Sequence, residues 1–488
     1  MYAYTVNIEF GKICMTWIPD ISDADGPIYL ALAQTIARAV ASGDLPEGSQ
    51  LPSHRELAKT LGVDVTTVTR AYAEAKRAGV IDSDRGRGSF VRRKRSSRPE
   101  PFKVTLENIG DIQPPSAAGD VFQLEAAGLN MPPEPPGGIL QDAIAAALPA
   151  LLRHPGYLPL NYQPSGGVAY DRAARAEMMP GIAPTNPDQV VITAGGQNAL
   201  HALCTTLIKP GDRVAAGRFT YRGFLAVARR VGAEIAPIEM DAEGLIPEAI
   251  EEAARRGPLK LLFVVPTNDN PTTATMGKER RKAVAELAER YNFTIIEDDA
   301  YGALADYQLP PISHYAPTRT WYLSSLSKAV APGFRVATVR APSVREAFEL
   351  ASDIRETVVM APPLNVALIT QWILEGTLPR LIAAVRAEAQ ARQRIALEVL
   401  GPGRFVAQPE GYHLWLQRPD GVDNAQTNGA AVAAGLPVVP ASVFAVNPTG
   451  LEQSLRICLG GMRSRERLRS DLERLDALLA RSDRRQSS

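Results

Sequence analysis

Between Gln189 and Asp299 the sequence alternates two patterns, and this alternation restricts the fold more than any other feature. "QVVITAG" gives way to "GQNALHALCTTLI", "KLLFVVP" to "KERRKAVAELAERY", and "FTIIEDD" follows. The short runs are apolar on consecutive residues, as in strands buried on both faces, and the longer ones are Ala-rich with helical spacing. Strand, helix and strand in succession predict a mostly parallel sheet covered by helices. At 488 residues the chain is too long for one ordinary domain.

Composition bounds the class. Apolar residues make up 45% and charged residues 22%, as in a globular protein with a sizeable core. The formal net charge is zero, so any basic surface must be local. Cys14, Cys204 and Cys458 are scattered and form no CxxC pair, which argues against a disulfide framework or a zinc site and fits a reducing cytoplasm. No metal site is expected. Neither a signal peptide nor a membrane-spanning run is expected.

The organisation changes along the chain. Residues 20–91 read as short helices followed by a Gly-punctuated turn, and residues 92–120 as a linker that opens with the basic "RRKRSSR" and continues with "QPPSAAG". Residues 121–480 carry the strand–helix alternation and end in a smaller α/β part. In the N-terminal stretch, Ser53 followed by Glu56 predicts a capped helix over "SHRELAKTLG", stopped by Gly62. Asp64 begins a second helix, "DVTTVTRAYAEAKRAG". Two short helices across a Gly turn make a helix-turn-helix, and "VIDSDRGRGSFV" supplies a wing. From His54 to Arg98 there are 12 Lys and Arg against 5 Asp and Glu. Such clustering in a neutral chain is a footprint for phosphate contact.

The stretch "LPSHRELAKTLGVDVTTVTRAYAEAKRAGVIDSDRGRGSFV" resembles the winged helix of GntR-type bacterial regulators. The resemblance implies that Arg55, Thr66, Thr67 and Arg70 face double-stranded operator DNA, with Arg85, Gly86, Arg87 and Gly88 in the wing. His54 stands where a small residue is common and is assigned no role.

The larger part carries a second constellation. "YLSSLSKAVAPGFR" places Lys328 at the end of an SxSK run, after Ser325 and Ser327, and before Arg335. "VVITAGGQNAL" is a strand, a Gly turn and a helix start, where the backbone N–H groups of Gly195, Gly196 and Gln197 suit a phosphate. "RFTYRGF" adds Tyr221, "VVPTNDNPTT" adds Asn270, and "IIEDDAYG" adds Asp298 and Tyr301. All follow strand ends, and ligands of parallel sheets collect outside the carboxyl ends of the strands.

In this order the motifs resemble fold type I aminotransferases that use pyridoxal 5'-phosphate (PLP). The resemblance implies that Lys328 forms the internal aldimine and Asp298 holds the ring nitrogen's proton. It gives Asn270 and Tyr301 to the ring hydroxyl, and Tyr221 to the ring face. Ser325, Ser327, Arg335 and the Gly195–Gln197 turn take the phosphate, and Tyr162 reaches it from the second subunit of a homodimer. Arg456, in "SLRICLGG", grips a ligand carboxylate. The usual "NPTG" is "NPTT" here, and Gly196 replaces a frequent serine. A GntR winged helix ahead of such a domain resembles the MocR/GabR regulators. That resemblance implies a cytoplasmic transcription regulator sensing an amino acid or amine by external aldimine formation. The alternative is a working aminotransferase with an appended DNA-binding head.

Overall fold

The computed structural model describes residues 17–19, 26–42, 44–46, 48–84, 88–92, 130–153, 159–179, 181, 185–306, 309–416, 436–447 and 454–486. Its contacts divide the chain into two units, Met1–Ser116 and Ala117–Ser488.

Among the described residues the first unit has three helices, α1 (Ile28–Ser42), α2 (His54–Leu61) and α3 (Val65–Arg77), then a hairpin of β1 (Ile81–Asp84) and β2 (Gly88–Val91). Local chemistry sets the boundaries. Ser53 Oγ accepts from the Glu56 amide at 3.3 Å, and the Ser53 amide donates to the Glu56 carboxylate at 3.0 Å. Two helix-end donors are thereby satisfied. Gly62 takes φ 66°, the left-handed conformation that ends α2 at low cost. Asp64 then caps α3 by accepting from the Thr66 amide at 2.7 Å. Leu32, Ile36, Leu57, Val68, Tyr72 and Ile81 form the shared core. His54, neutral in the sequence reading, has a structural part. Its ring lies edge-on to Tyr72, 4.8 Å between centroids, and its Nδ1 is 3.2 Å from Thr69 Oγ1. It ties α2 to α3.

The second unit is built on a seven-stranded sheet. Its strands are β3 (Val190–Thr193), β4 (Arg213–Gly217), β5 (Glu234–Ile238), β8 (Leu261–Val264), β9 (Thr294–Asp298), β10 (Thr320–Ser325) and β11 (Ala337–Arg340). A small hairpin, β6 (Met240–Asp241) with β7 (Gly244–Leu245), lies outside it. The sheet order is β3-β11-β10-β9-β8-β4-β5, and β11 alone runs antiparallel to its neighbours. The continuous apolar runs follow from two buried faces. Leu261 and Phe263 of β8 enter the core on one side, with Phe224 stacked on Phe263 at 4.1 Å. Leu262 and Val264 enter the core on the other.

A four-stranded antiparallel sheet completes this unit, in the order β12 (Phe405–Val406), β13 (His413–Leu416), β15 (Leu455–Cys458), β14 (Val438–Pro440). Helices Thr377–Leu400 and Arg465–Gln486 pack on it through Ile395, Leu400, Leu468 and Leu472. The expected fold class is therefore observed in both units. Among the described residues, no helix is long and apolar enough to cross a membrane.

Candidate functional site

The parallel strands point their carboxyl ends to one edge of the sheet. Loops leaving that edge carry Gly195 after β3, Tyr221 after β4, Asn270 after β8, Asp298 at the end of β9 and Lys328 after β10. The antiparallel β11 contributes its beginning instead. Ala337 pairs with both Thr193 and Ser325, so Arg335 stands at the same edge.

Two of the sequence motifs meet in a small cradle. Gly195, at φ 90°, precedes the helix Gly196–Leu207. The positive φ explains the glycine, and a Cβ built there would also come within 2.9 Å of the Arg335 guanidinium and displace it. Arg335 donates to the Ala194 carbonyl at 3.3 Å. From Gly196, the corresponding Cβ position is 3.8 Å from Ser325 Oγ. Ser325 Oγ caps the next short helix by accepting from the Ser327 amide at 3.2 Å. Ser327 Oγ is buried and finds no hydrogen-bond partner among the described residues. A helix N-terminus, a guanidinium and two hydroxyls, one of them an unspent buried donor, together suit a phosphate.

Beside the cradle the site is buried and charged. Asp298 is 8% exposed. Burial, then the adjacent Asp299, push its carboxyl up to about 7. A cationic ring nitrogen beside it would reverse that shift. Burial, then Arg456, bring the Lys328 amine down to about 8. Its Nζ donates to the Asn130 carbonyl at 2.6 Å. Tyr221 donates its hydroxyl to Gln197 Oε1 at 3.1 Å, bridging the β3 and β4 loops.

Arg456 is 2% exposed, lies over the Phe444 ring at 5.0 Å and donates to Asn270 Oδ1 at 3.0 Å. Asn270 leaves β8 through a turn in which Thr273, at φ 65°, occupies the conformation that favours glycine. Asp269 holds that turn. Its carbonyl accepts from the Thr273 amide at 2.7 Å, and its carboxylate from the Thr272 hydroxyl at 2.7 Å. Tyr162 stands apart from these groups in being 85% exposed.

Two residues absent from the sequence reading sit at the centre. Asn130 Nδ2 donates to Tyr301 Oη at 2.7 Å, and Asn130 Oδ1 accepts from Cys458 Sγ at 2.9 Å. His413, fully buried, lies 3.1 Å from the same Nδ2. Asn130 precedes a Pro-rich loop and His413 lies in an ordinary strand pattern, so neither carried a local signal.

In the N-terminal unit, the buried face of α3 is Val68, Ala71, Tyr72 and Ala75. Thr66, Arg70, Ala73 and Arg77, at helical spacing on the opposite side, are exposed. Arg55 is exposed too, and Thr67 is half-buried at the flank. The Thr66 hydroxyl donates to Asp64 Oδ1 at 2.6 Å, so toward a ligand it offers its acceptor and methyl group. Gly88 takes φ 107°, and a Cβ there would meet the Gln50 amide at 2.8 Å. Arg85, Gly86 and Arg87 lie outside the described residues. On this geometry, Arg70→Ala is expected to weaken specific operator binding by about 1–3 kcal/mol if it reads a base edge. Unchanged affinity and footprint in a DNA-binding titration would remove α3 from the interface.

Known proteins agree with this layout. The family described as "Aminotransferase class I and II" matches residues 134–475, and "Bacterial regulatory proteins, gntR family" matches residues 28–91. The uncharacterized HTH-type transcriptional regulator YdeF of Bacillus subtilis is 28% identical over 478 residues, 96% of this chain and 98% of that one. The HTH-type transcriptional regulator TauR of Rhodobacter capsulatus is 28% identical, covering 86% of this chain and 90% of its own. Among solved structures, LysN, the alpha-aminoadipate aminotransferase of Thermus thermophilus, was captured with N-(5'-phosphopyridoxyl)-L-leucine. It superposes with a TM-score of 0.67 and 26% identity, over 75% of this chain and 96% of that one. The chain therefore belongs to the aminotransferase class I and II family and joins to that domain a GntR-family helix-turn-helix, the organisation of MocR-like regulators.

Proposed function

We propose that this chain is a transcription regulator that binds operator DNA through residues 20–91 and senses an amino acid or amine with PLP on Lys328 of residues 121–480. Residues 92–120 connect the two. The observation that carries the reading is the convergence of Lys328, Asp298 and the Gly195–Arg335–Ser327 cradle at one sheet edge, in a chain that also bears a helix-turn-helix. When bound, PLP supplies an aldehyde carbon that links reversibly to a primary amine.

The residues divide the remaining work. Gly195, Gly196, Gln197, Ser325, Ser327 and Arg335 would hold the phosphate, joined by Tyr162 of a second copy in a homodimer. Asp298 would hold the proton on the ring nitrogen, Asn270 and Tyr301 would bond the ring hydroxyl, and Tyr221 would cover the ring face. Lowering of the Lys328 amine to about 8, by burial and then Arg456, raises its neutral, nucleophilic fraction near neutral pH. Arg456 would take an acid group, carboxylate or sulfonate, on the ligand. Arg55, Thr66, Thr67 and Arg70, with Arg85, Arg87 and Gly88 of the wing, would face the DNA, and a DNA target places the chain in the cytoplasm.

The test titrates full-length, PLP-loaded protein with amino acids, β- and γ-amino acids, aminosulfonates and plain alkylamines, reading visible absorbance and operator binding together. The expected best effector carries an amine and an acid group. Arg456→Ala is expected to weaken it roughly 10- to 100-fold while leaving the cofactor's own spectrum in place. Equal response to plain alkylamines would remove Arg456 from ligand binding. Multiple-turnover transamination with a keto acid, with no effect of any amine on operator binding, would instead establish the aminotransferase alternative.

A further inference from the structure

His413 is a histidine with one available tautomer. Burial, then Arg456, push its ring down to about 3, so the imidazole is neutral. A neutral imidazole has one N–H and one bare nitrogen. His413 Nε2 lies 3.1 Å from the Asp269 carbonyl, which only accepts, so Nε2 carries the proton. Nδ1 is therefore an acceptor, and its neighbour at 3.1 Å is Asn130 Nδ2.

This fixes the Asn130 amide. The nitrogen faces His413 and Tyr301, and the oxygen faces Cys458 at 2.9 Å. Reversing the amide would set its oxygen against the bare His413 nitrogen, acceptor against acceptor. Because Asn130 donates to Tyr301 Oη, the tyrosine's own proton is left to point elsewhere in the site. The Asn130 backbone is anchored by the same contacts, and its carbonyl accepts from Lys328 at 2.6 Å. The segment that follows is tied down as well, with the Gly461 amide donating to Pro132 O at 3.1 Å. A Cβ on Gly460 would come within 1.7 Å of Met131 O, so the chain just beyond β15 can leave room for this segment only with glycine there.

We propose that His413 is a positioning residue which, through Asn130, sets the place of both the Lys328 amine and the Tyr301 hydroxyl. It touches neither group directly by hydrogen bond; Asn130 does, with its backbone and its side chain. The inference deepens the PLP reading, yet its test needs no cofactor.

Cofactor-free, full-length protein is labelled across a pH series with a small amine-reactive reagent, and reaction at Lys328 is followed by peptide mass spectrometry. Arg456, Arg335, Asp298 and Cys458 bear on this amine besides the Asn130 carbonyl, and none of them changes in the variants. A hydrogen bond to the ammonium favours the charged form, so losing it lowers the labelling midpoint. His413→Leu and Asn130→Ala are each expected to lower the midpoint by about one pH unit, and the double variant by no more than either. His413→Gln, whose amide can donate to Asp269 and accept from Asn130, is expected to keep the wild-type midpoint. Nitrogen-15 spectra of the ring should show the neutral Nε2–H form from pH 5 to 8, assigned by its disappearance in His413→Leu. An imidazolium or Nδ1–H ring overturns the proposal without reliance on a variant's folding. So does a His413→Leu midpoint equal to wild type, or a His413→Gln midpoint equal to that of His413→Leu. Failure of wild-type protein to attach PLP at Lys328 would overturn the sensing function and leave these readouts standing.

Discussion

Replacing Lys328 with alanine is expected to abolish covalent attachment of PLP and every effector response that depends on it. Borohydride reduction of loaded wild-type protein should fix the cofactor on the Lys328 peptide, and no labelled peptide should be recovered from Lys328→Ala. The visible absorbance of lysine-bound cofactor should vanish with it. A label on any other lysine would end the assignment. The variant should still fold, because among the described residues the amine's one hydrogen bond goes to the Asn130 carbonyl. Its stability should be no lower than wild type. With a folded pKa of about 8, below the ordinary 10.5, Lys328 opposes folding fully below about pH 8, and this opposition fades between 8 and 10.5. Removing it takes away that penalty. A lower thermal midpoint at pH 7 would mean that the amine has structural partners beyond Asn130.

The second large effect concerns stability. Arg392 and Glu388, 2% and 3% exposed, form a buried pair at 2.8 Å within the helix Thr377–Leu400. Arg392 also donates to the carbonyls of Leu459 at 2.8 Å, Gly461 at 3.2 Å and Arg463 at 2.6 Å, and Arg465 closes on Glu388 at 2.6 Å. One guanidinium thus pins the chain as it leaves β15, next to the Asn130–Pro133 segment. Arg392→Ala leaves a buried carboxylate with a single partner and three carbonyls unfilled. The expected cost is about 3–5 kcal/mol, read from urea unfolding of the full chain. Glu388→Leu combined with Arg392→Met should recover part of it, since an apolar pair carries no desolvation cost, but the carbonyls stay unpaired. A single-variant loss below about 1 kcal/mol would show that the C-terminal segment is held by its apolar contacts alone.

Legibility followed the distance over which each feature is decided. The Ser53–Glu56 cap, the Gly62 stop and the Asp64 cap involve residues within a turn of one another, and the sequence spells them out. The parallel sheet was readable because burial on both faces demands uninterrupted apolar runs. The motifs at strand ends were readable for a related reason: in a parallel sheet, chain direction alone carries them to one edge. Even Arg335 falls there by topology, once β11 is known to run back between β3 and β10.

The Asn130–His413 contact joins positions 283 residues apart, and Cys458 joins Asn130 across 328. Nothing beside any of the three in sequence distinguishes it, and a strand such as "HLWL", buried at every position, reads the same with or without a bonded histidine. His54 was missed in the same way, since its partners Thr69 and Tyr72 become neighbours only when α2 and α3 pack. The sequence by itself determined the capped helices of the first unit, the strand and helix alternation of the second and the motifs that follow its strands. Those depend on local dihedral preferences, apolar periodicity and strand direction. Only the tertiary structure decided which polar groups satisfy one another inside, because a buried donor pairs with whatever acceptor packing brings to it, however far along the chain.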